Sequence, residues 1–403
     1  MPAVPSTSAA FAEDGPWTPY QKWLVCLTAV TIVFDGMDNQ LLGITIPALT
    51  ADWHVARTAF APVVSLGFLG MIVGGAAAGF WGDRVGRRIA LLTSIAVFGV
   101  CTLAIALVDG LASLAALRFL TGLGLGGAMP NATALAAEYV PRNRRALAVT
   151  ITVVCVPLGG TLAGLFAIRA LPVIGWRGMF VTGGVLPESP RFLAERAAHG
   201  GQRRGHVRVR DLFSSAYRRD SLALWTAFFS CLLSVYLGFS WLPSIIAGAG
   251  LGPALASSGI TVFNLGGVVG ALCGGALITR FGSRPTMLAM AAGAVVGAFA
   301  LSRTPLHPNT DVFALLAMLA FTGGLINAVQ TTMFALAAHV YPTAMRSTGV
   351  GAAAAFGRIG AVLSGYAGPW ALAYAGSASF FGLMGAAVFV TLIALACVRR
   401  HID

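Results

Sequence analysis

The chain contains one ten-residue pattern twice. GFWGDRVGRR (Gly79 to Arg88) follows one apolar run, and GALITRFGSR (Gly275 to Arg284) follows another, at an offset of 196 residues. Gly70, Gly74, Gly79, Arg84, Gly86 and Arg88 map onto Gly266, Gly270, Gly275, Arg280, Gly282 and Arg284. A second register, offset by 201, relates TGLGLGGAMPNATALAAEYVPRNRR (Thr121 to Arg145) to TGGLINAVQTTMFALAAHVYPTAMR (Thr322 to Arg346). The two matches occur in the same order in each half. A duplicated, strongly apolar chain is the pattern of a secondary transporter.

Charge decides what solvent such a chain lives in. Only 10% of the 403 residues are charged and 57% are hydrophobic, with a mean hydropathy of +0.82. A soluble domain carries roughly 25% charged residues, so this surface is predicted to face lipid. The apolar runs are long and lack the two-residue alternation of a barrel, so the spans are helical. Twelve are predicted, at 21–49, 59–81, 89–108, 111–140, 146–171, a short sixth near 176–190, 221–247, 256–278, 286–303, 311–340, 345–372 and 378–398. The expected organisation is a tail (1–20), a helical bundle (21–193), a basic loop (194–220) and a second bundle (221–400).

The net charge of +12 does not point to nucleic acid, because the arginines cluster between spans. Arg84, Arg87 and Arg88 follow span 2; Arg142, Arg144 and Arg145 follow span 4. Arg203, Arg204, Arg208, Arg210, Arg218 and Arg219 fill the central loop, and Arg280, Arg284, Arg346, Arg399 and Arg400 continue the series. The alternate loops hold only Arg57, Arg169, Arg177 and Arg303. This is the positive-inside pattern of a cell-membrane protein with both termini cytoplasmic. The start of the chain has Glu13 and Asp14 and no basic stretch, which argues against a cleavable signal. Lys22 is the only lysine, so a GxxxxGK phosphate loop is absent and no ATP motor is expected. The six cysteines have no metal-type spacing. No nucleophile–base or metal constellation stands in any loop, so an enzyme, a metal site and a cofactor are not expected.

The chemistry is expected at the few polar groups inside spans. Asp35 and Asp38 stand mid-span in VFDGMDNQLLG, on one helix face. A carboxylate at membrane depth costs roughly 2.5–3.5 kcal/mol on insertion scales unless it is protonated, paired or hydrated. Such a pair is suited to take up and release a proton; the plain alternative is a structural pair. Arg118 lies inside span 4 and Arg358 inside span 11. Either guanidinium can hold a carboxylate, from Asp35, Asp38 or an anionic substrate, or else snorkel to the interface. Asn131, Tyr236, Trp241, Asn264, Asn327 and Gln330 are candidates to line a cavity, and Tyr236, Phe239 and Trp241 in YLGFSWLP to stack on a flat ring. Asp83, Arg84, Arg87 and Arg88 with Glu138 read as a charged gate whose pairs form in one state and break in the other; the plain alternative is topogenic charge. Thr279 replaces the aspartate in the second copy. Glycines four apart (Gly70 and Gly74, Gly160 and Gly164, Gly266 and Gly270) give flat stripes for close helix contact, static or sliding.

These residues resemble a known family. GFWGDRVGRR is similar to the signature between helices 2 and 3 of the major facilitator superfamily, and RFLTGLGLGGAMPN with EYVPRNRR to its helix 4 signature. PESPRFL (Pro187 to Leu193) resembles the motif after helix 6. DGMDNQLLGITIPAL and LALWTAFFSCLLSVYLGFSWLP look most like the aromatic acid:H+ symporters. The resemblance implies two pseudo-symmetric six-helix bundles working by alternating access, with protons and a small aromatic carboxylate as partners. Asp35 and Asp38 match its paired helix 1 acids, Asp83 to Arg88 its gating loop, Arg118 and Glu138 its helix 4 charges, and Arg358 its helix 11 arginine. The chain is expected to work as a monomer. A departure is the sixth span: GWRGMFVTGGVLPESPRFL leaves only Met179 to Pro187 between charges, under half of a roughly 30 Å core at about 1.5 Å per residue. A short or irregular span 6 is expected. The alternatives are another facilitator (a sugar, organic-ion or drug:H+ porter) and a non-transporting sensor or inactive paralogue.

Overall fold

The structure is a computed structural model that describes residues 19–85, 87–139, 145–185, 214, 217–342 and 345–402. Side chains at 19–21, 24, 28, 79–88, 129–153, 185 and 346–348 lie outside the description. The helices are α1 (Pro19–Trp53), α2 (Ala61–Val85), α3 (Arg87–Ile105) and α4 (Leu111–Tyr139). The stretch Arg145–Val185 breaks at Gly175 (φ 64°, ψ −177°) into α5 (145–174) and α6 (176–185). Then come α7 (Arg218–Ile246), α8 (Pro253–Phe281), α9 (Ser283–Arg303) and α10 (Val312–Val340). Arg346–Cys397 breaks at Ala375 and Gly376 into α11 (346–374) and α12 (377–397).

Among the described residues, nine helical stretches are long and apolar enough to cross a membrane. Two of them carry the breaks that divide α5 from α6 and α11 from α12. Large apolar side chains face outward along the helices, including Val100, Leu272, Val296, Phe299 and Phe321, each more than half exposed. Such a coat is a liability in water and the expected surface in lipid. The protein is a multi-pass membrane protein.

The duplication is visible in the packing. A Cβ at Gly70 would run into the Phe119 carbonyl, and one at Gly266 into the Ala320 carbonyl. Likewise a Cβ at Gly122 meets the Gly67 carbonyl, and one at Gly323 the Phe263 carbonyl. Gly70, Gly67 and their counterparts Gly266 and Phe263 differ by 196; Phe119, Gly122 and their counterparts Ala320 and Gly323 differ by 201. So α2 against α4 and α8 against α10 use equivalent residues. Missing side chains let the backbones approach, which supplies the close van der Waals contact that holds helices together in lipid.

The arginine clusters define a basic end of the bundle. Among the described residues, several contacts between α1–α6 and α7–α12 stand toward the opposite end. Arg57 Nη1 donates to Ser244 O at 2.7 Å, and Ser65 Oγ to Val362 O at 2.8 Å. Gly164 of α5 leaves room for Ser257 and Thr261 of α8. On that same side Arg177 bonds Asp109 (2.6 Å) and lies 3.5 Å from Asp52, and Trp176 Nε1 donates to Asp52 Oδ2 at 3.0 Å. The start of α6 is thereby tied to the end of α1. The described part of α6 spans about 15 Å at a rise of roughly 1.5 Å per residue. Its continuation, including Pro187 to Leu193, and most of the predicted central loop lie outside the described residues.

Candidate functional site

The α1 helix runs through the seam between the two sets of helices. Gly36 admits the Val156 carbonyl of α5, and Gly43 admits the Phe239 carbonyl of α7. Squeezed from both sides, α1 turns Asp35 and Asp38 inward, at 3% and 1% exposure. The 3.6-residue period puts Asn39 on the same side, one turn beyond Asp35.

Asp38 is bonded from two directions. Arg118 Nη1 of α4 donates to Asp38 Oδ2 at 3.1 Å, and Thr102 Oγ1 of α3 to Asp38 Oδ1 at 3.2 Å. Arg118 is itself buried, and its Nε lacks a hydrogen-bond partner. A desolvated guanidinium with an unspent donor is prepared to accept a second anionic oxygen. Asp35 takes a bond from Asn39 Nδ2 at 3.1 Å, and the same nitrogen reaches the Asp35 carbonyl at 3.0 Å. Arg358 of α11 donates to Met71 O at 3.3 Å, and Met71 lines the same small cavity as Arg118. Two acids and two guanidiniums thus share one buried seam.

Aromatic rings border it. Phe68 of α2 meets Tyr236 of α7 at 4.5 Å between centroids, edge to face. Tyr236 continues to Phe239 at 5.6 Å and Phe239 to Phe263 at 6.2 Å. Asn39, Gly67, Phe68, Met71, Arg118 and Ser240 line a cavity of only about 10 Å³. That holds no more than about one water. A benzene ring enters only if α1, α2, α4 and α7 separate.

The structure therefore brings Asp35, Asp38, Arg118, Arg358 and Tyr236 together. It engages Trp241 and Asn264 in other contacts. Trp241 is spent on packing: fully buried, it donates Nε1 to Ser364 O at 3.0 Å and fills the space left by Gly368. Asn264 is engaged with Gln40 of α1 in a reciprocal amide pair of 2.8 and 2.9 Å, both side chains fully buried. Asn327 faces Gly267 of α8, donates to Gly323 O at 2.9 Å, and keeps a buried Oδ1 without a partner. Gln330 is half-buried on the same helix. The side chains of Asn131, Asp83, Arg84, Arg87, Arg88 and Glu138 lie outside the description.

Sequence reasoning passed over Asn39, Gln40, Thr102 and Phe68. The first two had a signal: they continue the polar run DNQ inside an apolar span, where each polar group needs a partner. Thr102 and Phe68 had none, since their importance comes from which helices adjoin.

Comparison with known proteins identifies relatives over nearly the whole chain. The sequence profile of the Major Facilitator Superfamily matches residues 28–302 and 224–402. The chain is 33% identical to a gallate transporter of Pseudomonas putida over 95% of its length and 93% of that protein's. It is 35% identical to the 4-hydroxybenzoate transporter PcaK of Acinetobacter baylyi, covering 89% of this chain and 86% of that one. It is 31% identical to the 3-(3-hydroxy-phenyl)propionate transporter of Escherichia coli, with 83% of each chain covered. Among solved structures, a D-xylose-proton symporter superposes with a TM-score of 0.74 at 17% identity, over 92% of this chain and 97% of that chain; this likeness speaks to the fold.

Proposed function

The chain belongs to the Major Facilitator Superfamily, and from that membership we propose that it is a proton-coupled symporter that takes up small aromatic carboxylates by alternating access. It is a transporter of this superfamily rather than an enzyme, and its relatives named above carry aromatic acids. The observation that carries the finer reading is the buried Asp38–Arg118 pair, with Arg118 Nε unspent beside it.

In this reading the substrate carboxylate binds Arg118 and displaces part of its bond to Asp38. Asp38 and Asp35 then hold a proton, because an unpaired carboxylate in a dry seam is costly. Phe68 and Tyr236 receive the aromatic ring edge to face. Arg358 balances the charge of Asp35, and Asn131, Asn327 and Gln330 complete the lining. The seam opens and closes between two bundles (21–193 and 221–400) joined by the basic loop (194–220). Asp83, Arg84, Arg87, Arg88 and Glu138 close its basic end. Coupling follows if proton and substrate each favour the same occluded state. The monomer is the working unit, with both termini on the cytoplasmic side; a topology reporter fused after Arg219 reads cytoplasmic under this orientation.

The test is uptake of labelled 4-hydroxybenzoate against labelled glucose in cells expressing the chain. Uptake of the acid alone supports the reading, and preference for glucose contradicts it. The shortness of the sixth span favours a second reading, a membrane sensor that binds the acid without moving it. Binding to purified protein with no accumulation in reconstituted vesicles is its signature.

A further inference from the structure

Beyond α12, Val398 to Ile402 run as a strap across the basic end. Ser283 N donates to Ile402 O at 2.7 Å, Ile402 N donates to Ser283 Oγ at 2.8 Å, and Ser283 Oγ bonds His401 Nδ1 at 3.1 Å. Arg399 N donates to the buried Asp220 at 2.8 Å. The strap therefore ties the start of α7 to the α8–α9 turn.

Between the strap, that turn and the end of α10 lies a cleft of about 730 Å³. Arg280, Arg284, His339, Arg399, Arg400 and His401 line it, and among the described lining residues none is acidic. Asp220 meets Arg400 at 3.8 Å, and among the described residues no ion pair joins Arg280, Arg284 or Arg399 to a carboxylate. Three of the structure's separate segments contribute, so the concentration of charge is a property of the fold rather than of one sequence run. Beside the cleft, α8 presents Leu277 and Phe281, one turn apart, outward at 41% and 57% exposure. Arg280 lies over the Phe281 ring at 5.3 Å, at the boundary between the two surfaces.

We propose that this cleft binds the phosphate head of an anionic phospholipid, whose acyl chains lie along the Leu277–Phe281 face of α8. Guanidiniums match phosphate oxygens in bidentate geometry, and basic pockets at the cytoplasmic rim of helical membrane proteins hold anionic head groups. A soluble phosphate satisfies the cleft but leaves the adjoining apolar face without a role, which is why the lipid is preferred. The inference is independent of the transport reading.

The test is native mass spectrometry of the full chain in micelles containing equal amounts of phosphatidylglycerol and phosphatidylcholine. The parent protein is expected to retain phosphatidylglycerol selectively. Each basic residue near an anionic surface contributes about fivefold, so R280Q/R284Q should lower retention roughly 25-fold, while R280K/R284K, which keeps the charge without the bidentate fork, restores part of it and R303Q, at the opposite end, changes nothing. Recovery by the lysine pair excludes misfolding as the cause. Equal retention in parent and R280Q/R284Q overturns the proposal. So does retention of inorganic pyrophosphate in place of the lipid, which makes the cleft a site for a soluble anion.

Discussion

Asp38 on α1 and Arg118 on α4 meet at 3.1 Å with side-chain exposures of 1% and 8%. An ion pair this dry is a poor source of stability in itself, but removing one partner strands the other. Its worth therefore lies in what exchanges for it. Under the proposed mechanism an incoming carboxylate takes over Arg118 as Asp38 gives up its charge, and that exchange would tie substrate to proton.

The first prediction concerns the pair alone. D38N and R118Q should each destabilise the purified protein by roughly 3–5 kcal/mol, because each leaves a buried charge uncompensated. D38N/R118Q should recover a large part of the loss. Thermal unfolding in detergent across the double-mutant cycle measures the coupling; additive losses would contradict direct pairing.

The amide pair of Gln40 and Asn264 bridges the two sets of helices at mid-depth. N264L should cost about 1–3 kcal/mol by leaving the Gln40 amide without partners, and Q40L/N264L should cost less than N264L. If this seam parts during transport, N264L should also lower cross-linking between cysteines placed at Ser65 and Val362, whose parent side chain and carbonyl now bond at 2.8 Å. Unchanged cross-linking would make the pair a static contact.

Equivalent glycines should fail equivalently. G122L drives a side chain into α2 and G323L drives one into α8. Overpacking of this kind costs about 1–3 kcal/mol or more, so both should lower the unfolding temperature by similar amounts. G351L, with open space around its Cβ, should not. Strongly unequal losses at Gly122 and Gly323 would argue against a shared packing plan.

The C-terminal strap should be sensitive to pH. Burial, aided by the charge of Arg284 and opposed by backbone bonds and Asp220, holds His401 below the usual histidine range. The docked imidazole is neutral, whereas an undocked one titrates near about 6.5. Docking is therefore fully stable above that pH and weakens as the pH falls below it. Hydrogen exchange at the Ser283 and Ile402 amides should speed up between about pH 7 and 5 beyond the intrinsic change, and H401Q should abolish the excess. An excess that survives in H401Q would assign the effect to another group.

The duplication and the helix limits were legible because they rest on local signals. Offsets of 196 and 201, read as spaced glycines, reappear as Gly70 and Gly266 set against the backbones of the partner helices. Asp35, Asp38 and Arg118 were legible as charges with no business in lipid. The sequence leaves Arg118 with Asp35, Asp38 or an anionic substrate as a partner, and the placement of α3 and α4 around α1 sets Asp38 beside it. Trp241 shows the same limit. An aromatic beside Tyr236 suggested a lining, but the groove left by Gly368 on α11 takes its ring. Gln40 and Asn264 are 224 residues apart, and no local pattern joins them.

Proton-driven accumulation tests the central claim most directly. Purified protein in sealed vesicles, given an inward proton gradient, should concentrate labelled 4-hydroxybenzoate, and a protonophore should abolish that concentration. D35N and D38N should bring uptake down to the level seen without a gradient while leaving exchange of labelled for unlabelled acid. Full accumulation in both variants, or in the parent with the protonophore present, would contradict the account.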